Sequence, residues 1–89
     1  MAGPERVPKV VLPSGLSRQF TGGETEIEVE GQTVRDLVRA LEARFPGLGP
    51  VIELGMAVAI DGEIYQDAFL EPVEETSEVC ILPAIRDGS

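Results

Sequence analysis

The C-terminal residues of the chain are the groups that point most directly to a chemical role. Residues 79–82 form a short apolar run typical of a buried strand, and Pro83 ends it. Small and polar residues follow as far as Gly88-Ser89, so a strand leads directly into a carboxylate on a glycine-containing arm. Five residues beyond Ala84 extend about 17 Å, at about 3.4 Å per residue, which would present that carboxylate at the end of a flexible arm. The alternative is an ordinary frayed chain end.

Most enzyme chemistries lack their usual groups in this sequence. It contains no histidine and one cysteine, Cys80. A disulfide within the chain is impossible, and a zinc or iron–sulfur site ligated by cysteines is excluded. Most pairs of nucleophile and base are missing as well. We therefore expect a protein that is not an enzyme, holds no metal and lies in the cytoplasm, where thiols stay reduced.

The charge and the length of the chain exclude further classes of function. Its 89 residues make one domain, and 16 acidic against 7 basic residues give a net charge of −9. That charge argues against binding to nucleic acid or to an anionic membrane. It suits a partner with a basic surface, or it serves solubility alone. Residues 1–6 lack the apolar core of a signal peptide and are expected to be a disordered lead-in.

The first half of the chain predicts two strands and a helix. Residues 7–12 and 25–30 alternate between apolar and polar positions, which predicts an antiparallel hairpin with one buried face. The connection between them, residues 13–23, is predicted to be a loop held down by Leu16 and Phe20.

A helix is predicted to begin after Thr33. The Thr33 side chain is a good N-cap, and Asp36 stands at the capping-box position. Apolar residues then recur at helical spacing over residues 34–45, until the sequence Phe-Pro-Gly at 45–47 ends the helix. Residues 48–55 are predicted to be a connector.

The second half of the chain predicts three short strands. Residues 56–60 and 63–65 are joined by Asp61-Gly62, a dipeptide that favours a two-residue type I′ hairpin. A loop over residues 67–77 then leads to a last strand over residues 78–82. The loop residues expected to pack inward are Phe69, Leu70 and Val73.

The order of these elements predicts an α+β fold. One main helix would cover one face of a mixed four- to five-stranded sheet, and a right-handed crossover would let the last strand pair in parallel with the first. This is the β-grasp arrangement, with the domain spanning residues 7–85 and a flexible tail over 86–89. The predicted core comprises Val10, Leu12, Ile27, Val29, Val34, Leu37, Val38, Leu41, Phe45, Val58, Ile60, Val79 and Ile81.

With that order in place, residues 7–88 resemble the sulfur-carrier branch of the ubiquitin-like β-grasp family. The resemblance rests on Thr-Val-Arg-Asp-Leu at 33–37 leading to Phe-Pro-Gly-Leu at 45–48, on Val-Ala-Ile-Asp-Gly at 58–62, and on Val-Cys-Ile-Leu-Pro-Ala-Ile at 79–85. Members include the small subunit of molybdopterin synthase, the thiamine-biosynthesis carrier and a carrier for cysteine synthesis. Leu12-Pro13, followed by Phe-Thr-Gly-Gly at 20–23, looks most like the cysteine-route carrier. The destination of the sulfur stays open.

The resemblance implies a function at the end of the tail. In this family an E1-like adenylating enzyme uses ATP to activate a terminal Gly-Gly carboxylate. Sulfur then replaces AMP, and the resulting thiocarboxylate serves a sulfur-using biosynthetic enzyme. The carrier itself binds no cofactor. Glycine is required because the tail must pass through a narrow channel close to the nucleotide, where a Cβ would collide.

The sequence departs from the family pattern at that same point. Asp87 takes the place of the penultimate glycine, Gly88 that of the last, and Ser89 lies one residue beyond. Three interpretations follow: a protease removes Ser89, the activating enzyme tolerates this tail, or the chain is a ubiquitin-like interaction module that has lost transfer. For the carrier, Gly88 would supply the sulfur-accepting carboxylate once Ser89 is removed. The threaded tail would comprise Ile85, Arg86, Asp87 and Ser89.

The last strand also predicts a surface for partners. Alternation places Cys80 and Leu82 on the face opposite the core residues Val79 and Ile81. Together with Pro83, they are predicted to form the partner-binding face of the sheet. The alternative for Leu82 is ordinary half-burial under a loop.

Overall fold

The computed structural model describes residues 7–65 and 68–83, and it shows a five-stranded mixed sheet with helices packed on one face. The strands are β1 (Lys9–Val11), β2 (Glu26–Glu28), β3 (Met56–Ile60), β4 (Glu63–Tyr65) and β5 (Glu78–Pro83). The helices are α1 (Ser14–Leu16), a π-helical turn (Ser17–Thr21), α2 (Val34–Arg44) and α3 (Leu48–Gly55). The predicted β-grasp fold is confirmed. The predicted lead-in 1–6 and tail 86–89, and the domain limit at residue 85, fall outside the described residues and stay predictions.

The first and last strands of the sheet lie side by side at its centre. The strand order is β2-β1-β5-β3-β4, and β1 pairs with β5 in parallel, with Val10 opposite Val79. The other neighbours are antiparallel. Asp61 and Gly62 both have positive φ, 50° and 90°, as the predicted type I′ turn requires. β5 therefore has a partner strand on both sides.

The core lies between this sheet and the helices. At the start of α2, the Thr33 hydroxyl accepts a hydrogen bond from the amide of Asp36 at 3.3 Å, as predicted for the N-cap. The Asp36 carboxylate accepts from the amide of Gln32 at 3.2 Å. Twelve of the thirteen predicted core residues are buried, the exception being Phe45. Phe45 packs at the margin of the core because it lies where the helix ends.

The predicted connector after α2 is wrong, because residues 48–55 form the helix α3. The Glu42 carboxylate accepts hydrogen bonds from the amides of Gly47 and Gly49, at 2.8 to 3.1 Å, and so satisfies donors at the start of α3. Leu48 and Ile52 are 0% exposed and join the core. A side chain on α2 and two apolar residues on α3 therefore hold this short helix in place.

The loop that was predicted over residues 13–23 is largely helical. It folds into α1 and the π-helical turn, with Leu16 and Phe20 partly buried against the core as expected. The Ser17 side chain is buried, and its hydroxyl donates to the carbonyl of Ser14 at 2.9 Å. The packing of Leu16 and Phe20 and the hydrogen bond of Ser17 thus stabilise this helical segment against the core.

One predicted anchor of the second loop is wrong. Phe69 and Val73 pack against the core, but Leu70 is 75% exposed. The carbonyl of Phe69 accepts from the amide of Arg35, and the carbonyl of Glu71 accepts from that of Val34. Because the backbone on both sides of Leu70 binds the first turn of α2, the residue between turns outward.

Candidate functional site

The central strand β5 presents two contrasting faces. Val79 and Ile81 are 1% and 2% exposed and face the helices, whereas Cys80 and Leu82 lie half-buried on the outer face. Pro83 ends the strand and is exposed. The predicted orientation of Cys80 and Leu82 is therefore confirmed, and their role in binding a partner stays a prediction.

Neighbouring strands extend this surface into an apolar patch. Cys80 lies opposite Val11 of β1 and Ala59 of β3, and Ala59 lies opposite Ile64 of β4. Leu82 lies opposite Ala57 in the next row. We call these residues the outer-face patch: Val11, Ala57, Ala59, Ile64, Cys80 and Leu82. Sequence reasoning missed the members from β3 and β4, because alternation shows which face a residue takes but not which strands are neighbours.

Ile64 is the most exposed large side chain of the patch. It is 68% exposed, although it sits on an edge strand in direct register with Ala59. Glu63 and Tyr65 alternate with it along β4 and lie opposite the core residues Ile60 and Val58, so both point to the other face of the sheet. There the Tyr65 hydroxyl donates to the Glu63 carboxylate at 3.0 Å, which with the charge of that carboxylate raises the pKa of Tyr65 above its usual value. The patch around Ile64 is therefore an apolar surface.

Cys80 belongs to this surface as a packing group. Partial burial raises the pKa of its thiol, and the nearby Glu78 carboxylate raises it further. A raised pKa keeps the thiol protonated near neutral pH, and the protonated form is a weak nucleophile. The Cys80 environment therefore does not resemble that of a reactive cysteine.

The tail begins where the outer-face patch ends. Pro83 lies opposite Met56 at the border of the sheet, one residue beyond the Leu82–Ala57 pair. A protein bound on the patch would therefore sit beside the origin of the tail. The predicted tail site, formed by Ile85, Arg86, Asp87, Gly88 and Ser89, falls outside the described residues and stays a prediction.

Two further structural features bear on function. Over residues 7–65 and 68–83, no helix has the length and hydrophobicity needed to cross a membrane. The same residues include no group of three or more cysteine or acidic side chains placed to hold a metal ion.

Comparison with known proteins identifies the family. A profile described as the ThiS family matches residues 14–86, which is most of the chain. The chain belongs to the ThiS family. The predicted membership of the β-grasp sulfur carriers is thereby confirmed, and so is the sulfur-carrier role, with no support for the alternative of an interaction module that has lost transfer. No curated protein matches this ThiS-family chain.

Solved structures agree with this assignment. A chain in the crystal structure of the Amycolatopsis orientalis BexX/CysO complex is 26% identical, with a TM-score of 0.79 over 92% of this chain and 100% of that one. Mycobacterium tuberculosis CysO, described as an antigen, is 20% identical, with a TM-score of 0.78 over 88% and 99%. Small archaeal modifier protein 1 from Methanosarcina acetivorans is 23% identical, with a TM-score of 0.75 over 97% and 100%. The last two similarities show the shared fold alone.

Proposed function

We propose that this ThiS-family protein carries sulfur as a thiocarboxylate at Gly88 after an adenylating enzyme has activated it. The observation that supports the proposal most strongly is the position of β5. This one strand contributes the half-buried Cys80 and Leu82 to an apolar patch on the outer face and then leads directly into the tail. A partner that docks on the patch receives the tail beside its own bound surface.

The proposed chemistry takes place in the partner's site. The terminal carboxylate attacks the α-phosphorus of ATP, pyrophosphate leaves, and an acyl adenylate forms. A sulfide-equivalent nucleophile then attacks the acyl carbon, AMP leaves, and the thiocarboxylate results. In a sulfur-using biosynthetic enzyme the thiocarboxylate sulfur passes to the substrate, and water attacks the acyl carbon to break the C–S bond and restore the carboxylate. The carrier contributes binding and presentation, and the partner contributes ATP and the catalytic groups.

Each tail residue has a separate role in this proposal. Gly88 provides the carboxylate, and removal of Ser89 by a protease makes that carboxylate terminal. Ile85, Arg86 and Asp87 form the threaded segment. The Asp87 carboxylate brings negative charge close to the triphosphate, and like charges at short range repel. Asp87 should therefore slow adenylation without preventing it.

The partners and the compartment follow from the same proposal. The outer-face patch docks first an E1-like adenylating enzyme and later the sulfur-using enzyme. The protein works in the cytoplasm, where ATP is available, and it holds no cofactor of its own. Nucleic acid and membranes are not expected partners, because the net charge of −9 opposes both.

Mass spectrometry of the protein from its native host tests the central step. The expected species ends at Gly88 and has one carboxylate oxygen replaced by sulfur. In vitro, the chain without Ser89 should support ATP–pyrophosphate exchange by its adenylating enzyme. Asp87→Gly should raise that rate, with a gain that shrinks as salt screens the repulsion. If the trimmed Asp87→Gly protein binds the enzyme but supports no exchange, the carrier proposal fails and a binding module takes its place.

A further inference from the structure

The strand β2 lies at an open edge of the sheet. β2 pairs with β1 on one side and has no strand on the other in the described sheet. The amide of Leu12 donates to the carbonyl of Thr25, and the amide of Val29 donates to the carbonyl of Pro8. In an antiparallel pair, residue pairs that exchange hydrogen bonds alternate with pairs that do not. It follows that Glu26 and Glu28 direct their backbone groups away from β1, toward the open edge.

Most of these outward groups are available for pairing. The carbonyl of Glu28 accepts a hydrogen bond from Nη1 of Arg44, at the end of α2, at 3.0 Å. In the described part of the chain, the amides of Glu26 and Glu28 and the carbonyl of Glu26 have no partner. An open row of this kind is a template for a further strand.

A groove runs along the same edge. It has a volume of about 380 Å³ and lies between β2 and the end of α2. Its lining comprises Lys9, Glu24, Glu26, Ile27, Glu28 and Arg44. Lys9 contacts Glu26 at 3.5 Å, an exposed ion pair worth less than about 1 kcal/mol. The groove therefore combines a pairing edge with acidic side chains that are weakly engaged.

The charge on β2 decides which strand can pair there. A second copy of this chain, added antiparallel at the same edge, would place Glu26 and Glu28 opposite the same glutamates. Like charges directly opposite each other across a ladder are destabilising. A segment with basic residues at alternate positions would instead set a cation beside each glutamate.

We propose that the β2 edge binds an extended, basic segment of a partner protein by strand addition. The backbone of the segment pairs with Glu26 and Glu28, and its Lys or Arg side chains meet their carboxylates. Arg44 covers the carbonyl of Glu28 until the segment replaces it. The open edge adjoins the outer-face patch only at Val11, which lies opposite Glu26, and binding there involves neither β3, β4, β5 nor the tail. The inference therefore does not depend on the proposed function.

The probe for this proposal is a blocked seven-residue peptide of alternating lysine and valine. Titration into the ¹⁵N-labelled full chain at 150 mM salt should shift the amide resonances of Glu26, Ile27 and Glu28 and protect those amides from exchange. Glu26→Lys combined with Glu28→Lys should weaken binding at least about tenfold, because each new cation repels the peptide. The matched control is Glu74→Lys with Glu75→Lys, which changes the net charge equally on exposed residues and should leave affinity nearly unchanged.

Backbone pairing is tested with N-methylated peptides. Only alternate amides of the peptide face β2. In an antiparallel pair these are the lysine amides, so their methylation should abolish pairing. In a parallel pair they are the valine amides, and methylation of those should abolish it instead. Leu82→Glu, on the outer-face patch, should leave the peptide's affinity as it is. The proposal is overturned if both methylated peptides bind as the parent does, if the two charge-reversed variants lose affinity equally, or if the shifts map to the outer-face patch.

Discussion

The two faces of the sheet are built from the same strands but differ in burial. On the inner face, Val79 and Ile81 of β5 are buried beneath α2 and α3, together with Leu41, which is 1% exposed. On the outer face, Cys80 and Leu82 stay half-buried and Ile64 is 68% exposed. The inner residues are large and packed in one core, whereas the outer ones include two alanines and lie in two neighbouring rows across the strands.

This contrast separates stability from recognition at the level of single residues. Burial of a large aliphatic side chain stabilises the folded state by about 1.5–3 kcal/mol, and the residues of the inner face are buried on folding. On the outer face part of that surface stays exposed, and under the proposed function a partner covers it. Substitutions on the inner face should therefore change unfolding, and those on the outer face should change binding.

The largest expected effect is on the inner face. Leu41→Ala should lower the free energy of unfolding by about 2–5 kcal/mol, because a fully buried leucine leaves a cavity against the sheet. Chemical denaturation measures the change. A domain of this size has a total stability of about 5–10 kcal/mol, so much of it would be lost. A change below about 1 kcal/mol would mean that α2 does not contribute to the core as described.

An intermediate effect is expected on the outer face. Leu82→Glu should weaken binding to the adenylating enzyme at least about tenfold, because it places a charge in the apolar patch. The free energy of unfolding should fall by about 1 kcal/mol or less. Calorimetric titration and urea denaturation measure the two quantities.

Leu70→Glu is the matched control for this change. Leu70 is 75% exposed and lies outside the outer-face patch, so the same substitution should leave the affinity intact. Equal losses from Leu70→Glu and Leu82→Glu would show that added charge, and not the patch, controls binding.

The smallest expected effect concerns Cys80, which is less buried than Val79 on the inner face and less exposed than Ile64 on the outer face. Its pKa is raised by partial burial and by Glu78, so the thiolate fraction at neutral pH is lower than in an unfolded chain. The rate of alkylation by iodoacetamide should therefore rise with pH around a higher midpoint in the folded protein than in the same protein in urea. A lower midpoint in the folded protein would contradict the burial of this thiol.

Sequence reasoning captured the features that depend on local chemistry. The Thr33 cap, the type I′ turn at Asp61-Gly62 and the alternation of β5 each follow from residues only a few positions apart. The element order then led to the parallel pairing of β1 with β5, because few topologies accommodate one helix among five strands.

The missed helix α3 shows where local reasoning fails. Its sequence contains Gly49, Pro50 and Gly55, which are poor helix formers. Pro50 is nevertheless tolerated in the first turn, where its missing N–H has no intrahelical partner. The stabilising contacts come from Glu42 on α2 and from the burial of Ile52, and neither is visible in residues 48–55 alone.

The two candidate surfaces were predicted to different extents. The tail chemistry came from resemblance to a family, and two of the six residues of the outer-face patch, Cys80 and Leu82, came from the alternation of β5. The β2 edge surface could not be predicted, since it requires the strand order and the position of Arg44. Alternating glutamates at 26 and 28 indicate a solvated face in any hairpin, and only the topology places them at an open edge.

The central position of β5 also determines when the sheet can be completed during synthesis. Its partner in β1 is 69 residues earlier in the chain, as the pairing of Val10 with Val79 shows (79 − 10 = 69). During synthesis, which adds about 5–20 residues per second, the middle of the sheet stays vacant until β5 emerges. The strand that completes the domain is also the one from which the tail departs. Under the proposed function, a chain that ends before β5 would lack both the finished fold and the carboxylate to be activated, so an incomplete chain could not serve the activating enzyme.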